Sequence, residues 1–190
     1  AIICAQRTNT MPKAAVSKAM TPARPAARKA AAPAAKAPAP AARSTSVIAT
    51  NFRQVFEADA MERVRIVKLG VPASVVEVMA RRMAMPKEKL VGTLGLARAT
   101  IDRKARENKP LSSDESSRVL GMARLVGQVQ AMVEESGNPE GFDAAAWVAR
   151  WLDEPLPALG GQRPAELMDT PEGQGIVSQI VDRMRSGAYA

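Results

Sequence analysis

The chain has 190 residues, 46% of them apolar but only 3% aromatic, so its core has to be built from Ala, Val, Leu, Ile and Met, a set that suits helices. It contains no histidine and one cysteine, Cys4, which excludes Cys/His zinc sites, disulfides within the chain, Ser-His-Asp triads and Cys-His dyads. The formal net charge is +8, yet residues 1–46 carry eight Lys or Arg and no acid, so the whole excess belongs to that stretch.

The remaining residues hold 19 basic and 19 acidic side chains in a polarised order. Residues 81–109 have nine basic and three acidic residues, and residues 134–190 have four basic and ten acidic. Such a split implies two different partners, one of them polyanionic. No apolar run approaches the roughly 18 residues needed to cross a bilayer, which predicts a soluble, cytoplasmic protein with no membrane partner. The adjacent acids Asp153 and Glu154 do not face one another on a helix. They read as solvated surface, and neither an enzyme nor a cofactor is expected.

In chain order, residues 1–46 are rich in Ala, Pro, Lys and Arg. Frequent proline blocks helices and alanine buries too little area to offset ordering entropy, so a disordered basic arm is expected. It serves either as a DNA-binding extension or as a solubilising one. From Val47 to Leu69 apolar residues recur at helical spacing, predicting one helix that ends at a Gly70 cap. A second stripe, Val75, Val76, Val78, Met79 and Met83, follows and stops at Met85-Pro86.

Residues 86–107 read as a helix-turn-helix. A short helix over 86–94 meets Gly95 at the turn, and Leu96 to Arg106 forms the second helix. Leu90, Val91, Leu94, Leu96 and Ile101 are placed to lock the two together. Arg98, Thr100, Arg103, Lys104 and Arg106 would then project toward DNA, with Lys87 beside them on the first helix. Arginine can pair bidentately with guanine, while lysine and threonine more often meet phosphates. The alternative is a solvated basic face on an ordinary helix hairpin.

Ser112 with Glu115 three residues on makes a capping box that starts a helix running to about Glu135. Val119, Met122, Val126, Val129 and Val133 form a narrow seam on it, read as a core stripe and also as a dimer contact. Gly121 and Gly127 predict close backbone approach. Domain boundaries follow: an arm at 1–46, a DNA-binding and dimerisation domain at 47–135, and a C-terminal module at 136–190. In that module a helix over Phe142 to Leu152 gathers Trp147 and Trp151, Pro164 starts a single turn, and Thr170 caps a last helix with Pro171 in its first position.

Trp151-Leu152, Pro155, Leu159-Gly160-Gly161, Pro164, Leu167, Thr170 and Gly173 together resemble the C-terminal toxin-binding domain of Xre/MbcA/ParS-type antitoxins. Leu111-Ser112, Glu115-Ser116, Arg118 and the basic helix 97–107 resemble the Xre-type helix-turn-helix of the same family. The resemblance covers roughly residues 60–190 and implies an all-α fold. It further implies a type II antitoxin whose partner is a RES-domain toxin that destroys NAD, and homodimers that bind and repress the operon's promoter. Trp151, Leu159, Gly160 and Gly161 would belong to the toxin-binding surface. Arg183, Arg185, Ser186 and Tyr189 would lie at the end that obstructs the toxin's NAD cleft. Gly160-Gly161-Gln162 also matches the release-factor tripeptide, a three-residue coincidence. The competing functions are a stand-alone helix-turn-helix regulator and a nucleoid or plasmid-maintenance DNA-binding protein.

Overall fold

The computed structural model describes residues 51–137 and 139–185, all within one compact unit. The basic arm expected at 1–46 lies outside the described residues, as do Ser186 and Tyr189. Among the described residues the fold is all-α, as the sequence predicts, with eight helices joined by turns.

The first expectation needs correction. In place of one helix over 47–69 there are two, α1 (Phe52–Glu57) and α2 (Ala60–Leu69). The break comes at Asp59, whose carboxylate accepts from the Met61 and Glu62 N–H groups at 2.7 and 3.0 Å and so starts a new helix. Asn51 caps α1 in the same way, through Gln54 N–H at 3.0 Å. Because of the break, Met61, Val64 and Leu69 fall on an exposed face of α2 instead of continuing a buried stripe.

Three short helices follow: α3 (Ser74–Arg82), α4 (Lys87–Thr93) and α5 (Arg98–Arg106). All three end alike. An amide two residues past the cap bonds back to a carbonyl five residues earlier: Met85 to Ala80 at 3.1 Å, Leu96 to Val91 at 2.9 Å and Lys109 to Lys104 at 2.8 Å. This closure needs a left-handed residue between, supplied by Ala84, Gly95 and Asn108 at φ of 51°, 58° and 51°. Only the glycine announced itself in the sequence.

The long helix α6 (Ser113–Glu135) is the axis of the molecule and packs against α1, α2, α7 (Ala144–Trp151) and α8 (Pro171–Arg185). Its capping box is present, with Ser112 Oγ accepting from Glu115 N–H at 3.2 Å and Glu115 accepting from Ser112 N–H at 2.6 Å. Gly127 lies against the Phe52 carbonyl, where a β-carbon would overlap the backbone of α1. Val119, Met122, Val126 and Val129 are fully buried within the chain. The seam is therefore core, as one of its two readings had it. These four are spent on α6's own neighbours, while Val133, the last of the seam, is half-buried.

Between α7 and α8 run two 3-10 turns, Pro157–Leu159 and Pro164–Leu167, the second starting at Pro164 as expected. The core is continuous: Leu90, Leu94 and Ile101 belong to the same cluster as Trp151, Leu152, Met168, Val177 and Val181. Residues 139–185 thus share their interior with the helix-turn-helix.

Candidate nucleic-acid interface and partner-binding frame

The helix-turn-helix is α4, the Gly95 turn and α5, and its five predicted locking residues, Leu90, Val91, Leu94, Leu96 and Ile101, are all buried. The turn is held from outside the motif. Arg118, in the second turn of α6, donates from Nη1 to the carbonyls of Leu94 at 2.9 Å and Gly95 at 2.7 Å, and pairs through Nη2 with Asp114. A β-carbon at Gly95 would stand 2.9 Å from Asp169 Cβ and 3.1 Å from the Arg118 guanidinium, so the site needs glycine for space as well as for φ. The other flank is fastened by buried Ser116, whose hydroxyl accepts from Val71 N–H at 2.9 Å, and by Leu111 N–H on the Val71 carbonyl at 2.7 Å.

The six residues expected to meet DNA do not share one environment. Arg103 and Arg106 stand exposed on the outer face of α5 beside Ala99, and among the described residues no carboxylate lies in ion-pair range of either. Arg98 is exposed but shared with Glu88 at 3.0 Å and Asp102 at 3.7 Å. Thr100 is half-buried at the edge of the face. Lys87 turns toward Asp102 at 2.6 Å and Glu77 at 3.7 Å. The Asp102 carboxylate holds the Lys87 pKa above its ordinary value, and Lys87 lowers that of Asp102 in return. Lys104 crosses to Glu115, the capping-box carboxylate of α6, in a pair with little exposure on either side. Its charge is committed to joining α5 to α6.

The residues expected to bind the partner separate in the same manner. Trp151 is buried, stacked on Trp147 with ring centroids 5.6 Å apart, so it supports the frame from inside instead of presenting itself to a partner. Leu159 is half-buried against the core, while Gly160 and Gly161 are exposed in a turn closed by Gly161 N–H on the Leu156 carbonyl at 2.9 Å. Arg183 and Arg185 are exposed on the last turn of α8, with Arg185 reaching Glu135 at 3.4 Å. Asp153, one of the adjacent acids, pairs with Lys89 of α4.

This architecture agrees with its relatives. Residues 62–124 match the antitoxin Xre-like helix-turn-helix domain, and residues 139–187 match the antitoxin Xre/MbcA/ParS C-terminal toxin-binding domain. A Sphingobium protein described as a Prs ADP-ribosylating antitoxin is 43% identical over 139 residues, covering 73% of this chain and 87% of its own length. The chain belongs to the Xre-type antitoxin family. A more distant member, antitoxin Xre of Yersinia enterocolitica, is 23% identical over 124 residues, spanning 65% of this chain and 78% of that one.

As an antitoxin the chain is not an enzyme, and Asp153 has its structural role beside Lys89. The antitoxin's helix-turn-helix and toxin-binding segments meet at the Gly95 turn, where Asp169 and Arg118 both come close. Asp169 and Lys104 are the residues that sequence reasoning missed in these roles. Lys104 was expected on the face toward DNA, since its sequence position does not show the Glu115 carboxylate it meets. Asp169 carried no signal, because its contact joins positions more than seventy residues apart.

Proposed function

We propose that this antitoxin binds and blocks a RES-domain toxin that consumes NAD, and that it represses its own promoter as a homodimer reading DNA with α5. The observation that carries the DNA half is the exposed Arg103–Arg106 face on a helix whose turn is clamped by Arg118. A reading helix has to be held rigidly to discriminate bases. The toxin half is supported by the match over residues 139–187. The name of the Sphingobium relative adds ADP-ribosylation, a reaction whose donor is NAD, so a toxin with an NAD cleft fits that relative as well. Such a partner places the work in the cytoplasm.

The obstruction of that cleft falls to the segment that carries Arg183, Arg185, Ser186 and Tyr189. Removing residues 186–190 alone tests it, since Val177, Ile180 and Val181 of α8 stay in the core. In co-expression the shortened chain should still bind promoter DNA and should fail to protect against the toxin. Full protection would defeat the obstruction. For DNA, Arg103→Ala should weaken promoter binding about tenfold or more while random DNA is bound almost as before, measured by anisotropy at fixed salt. Equal losses on both would make Arg103 a phosphate contact.

A further inference from the structure

A groove of about 740 Å³ runs along α6 with α2 as one wall and α8 as the other. Its lining includes Val64 and Val67 of α2, Leu120 and Arg124 of α6, and Gly175 and Ser178 of α8. The stretch of α6 exposed to it, from Ser113 to Leu125, is roughly 18 Å long at 1.5 Å per residue, the length of three helical turns. One of the large apolar side chains left exposed, Val64 of α2, lies along it, with half-buried Val67 one turn on.

The groove is also one-sided in charge. Arg63, Lys68 and Arg124 line it, and among the described residues no acid does. Arg124 is half-buried and its Nε is enclosed without a hydrogen-bond partner. Burial and the neighbouring Arg63 push its pKa down, with Asp182 acting against them from α8. A desolvated cation left unpaired costs stability that a carboxylate brought into the groove would return.

The occupant has to be acidic as well as apolar. Residues 1–46, with eight basic residues and no acid, are excluded by charge. The wall formed by α8 lies inside the segment that matches the family's toxin-binding domain, so the groove continues that surface. We propose that it receives an acidic amphipathic helix of the toxin, with a carboxylate of that helix on Arg124 and its apolar face on Val64 and Val67. This helix-in-groove arrangement rests on the toxin reading above and names the kind of toxin segment that docks.

Two substitutions test it in the full chain, using a purified RES-domain toxin of the kind proposed above. Arg124→Leu removes the unpaired cation, and Val64→Glu sets a carboxylate against an acidic occupant. Both variants should melt at or above the wild-type temperature and bind promoter DNA unchanged. Both should lose toxin affinity by about thirtyfold or more in calorimetric titration. Wild-type affinity in both variants, beside a wild-type chain that binds the toxin, overturns the groove proposal and leaves the antitoxin reading intact. A change in the light-scattering mass of the free antitoxin with toxin affinity untouched assigns the groove to a second copy, and overturns it too. Failure of the wild-type chain to bind the toxin defeats both.

Discussion

Glu115 serves three groups at once. It accepts the Ser112 N–H that closes the capping box, it begins the positive end of α6, and it pairs with Lys104 of the reading helix. Burial works to raise its pKa, but the Lys104 ammonium and the Ser112 N–H and hydroxyl outweigh it, and the net direction is down from 4.5. A carboxylate whose folded pKa is depressed gives its full stability above the unfolded value and loses it as pH falls through the folded one. Glu115→Gln, which keeps an acceptor for Ser112 but releases Lys104, should therefore cost about 1 kcal/mol at pH 7, discounted for partial exposure. The gap between variant and wild type should shrink below about pH 4.5 in urea titrations. A gap that stays constant with pH would show that the charge contributes nothing.

At the scale of elements, α6 is a strut that fixes its neighbours through long side chains. Arg118 is the clearest case, since its two hydrogen bonds end on carbonyls that α4 leaves open at the turn. Arg118→Ala should lower stability by about 2 kcal/mol and weaken promoter binding through the displaced α5, read by chemical denaturation and anisotropy. Arg118→Lys should rescue little, because one ammonium cannot reach both carbonyls in the fork geometry of a guanidinium. Loss of stability without loss of DNA binding would separate the clamp from the reading helix.

The elements themselves were legible where a local chemical cue marks them. The Ser112–Glu115 box, Gly95, Pro164 and Thr170–Pro171 placed helix ends that the structure reproduces within a residue or two. Asp59 carried such a cue as well, a carboxylate with Glu62 three residues on, but the apolar spacing across it suggested continuity. The commitments of Lys87 and Lys104 could not be read, because a basic face and a set of ion pairs have the same sequence. Nor could the seam on α6 say what covers it: a stripe of valines buries equally well against its own chain or a second one.

At the scale of the molecule, the two family segments share one interior, running from Leu90 and Ile101 to Val177 and Val181. Thermal unfolding should thus follow a single cooperative transition, with toxin binding and the proposed DNA binding lost over the same interval. Two calorimetric peaks, one for each function, would contradict a shared core.

That continuity bears on how such a protein is switched off in a cell. A chain that opens as one unit gives a protease no stage at which one duty survives the other. On the proposed reading the half-life of the folded state becomes a common clock, since toxin and promoter would be released together from an opened molecule.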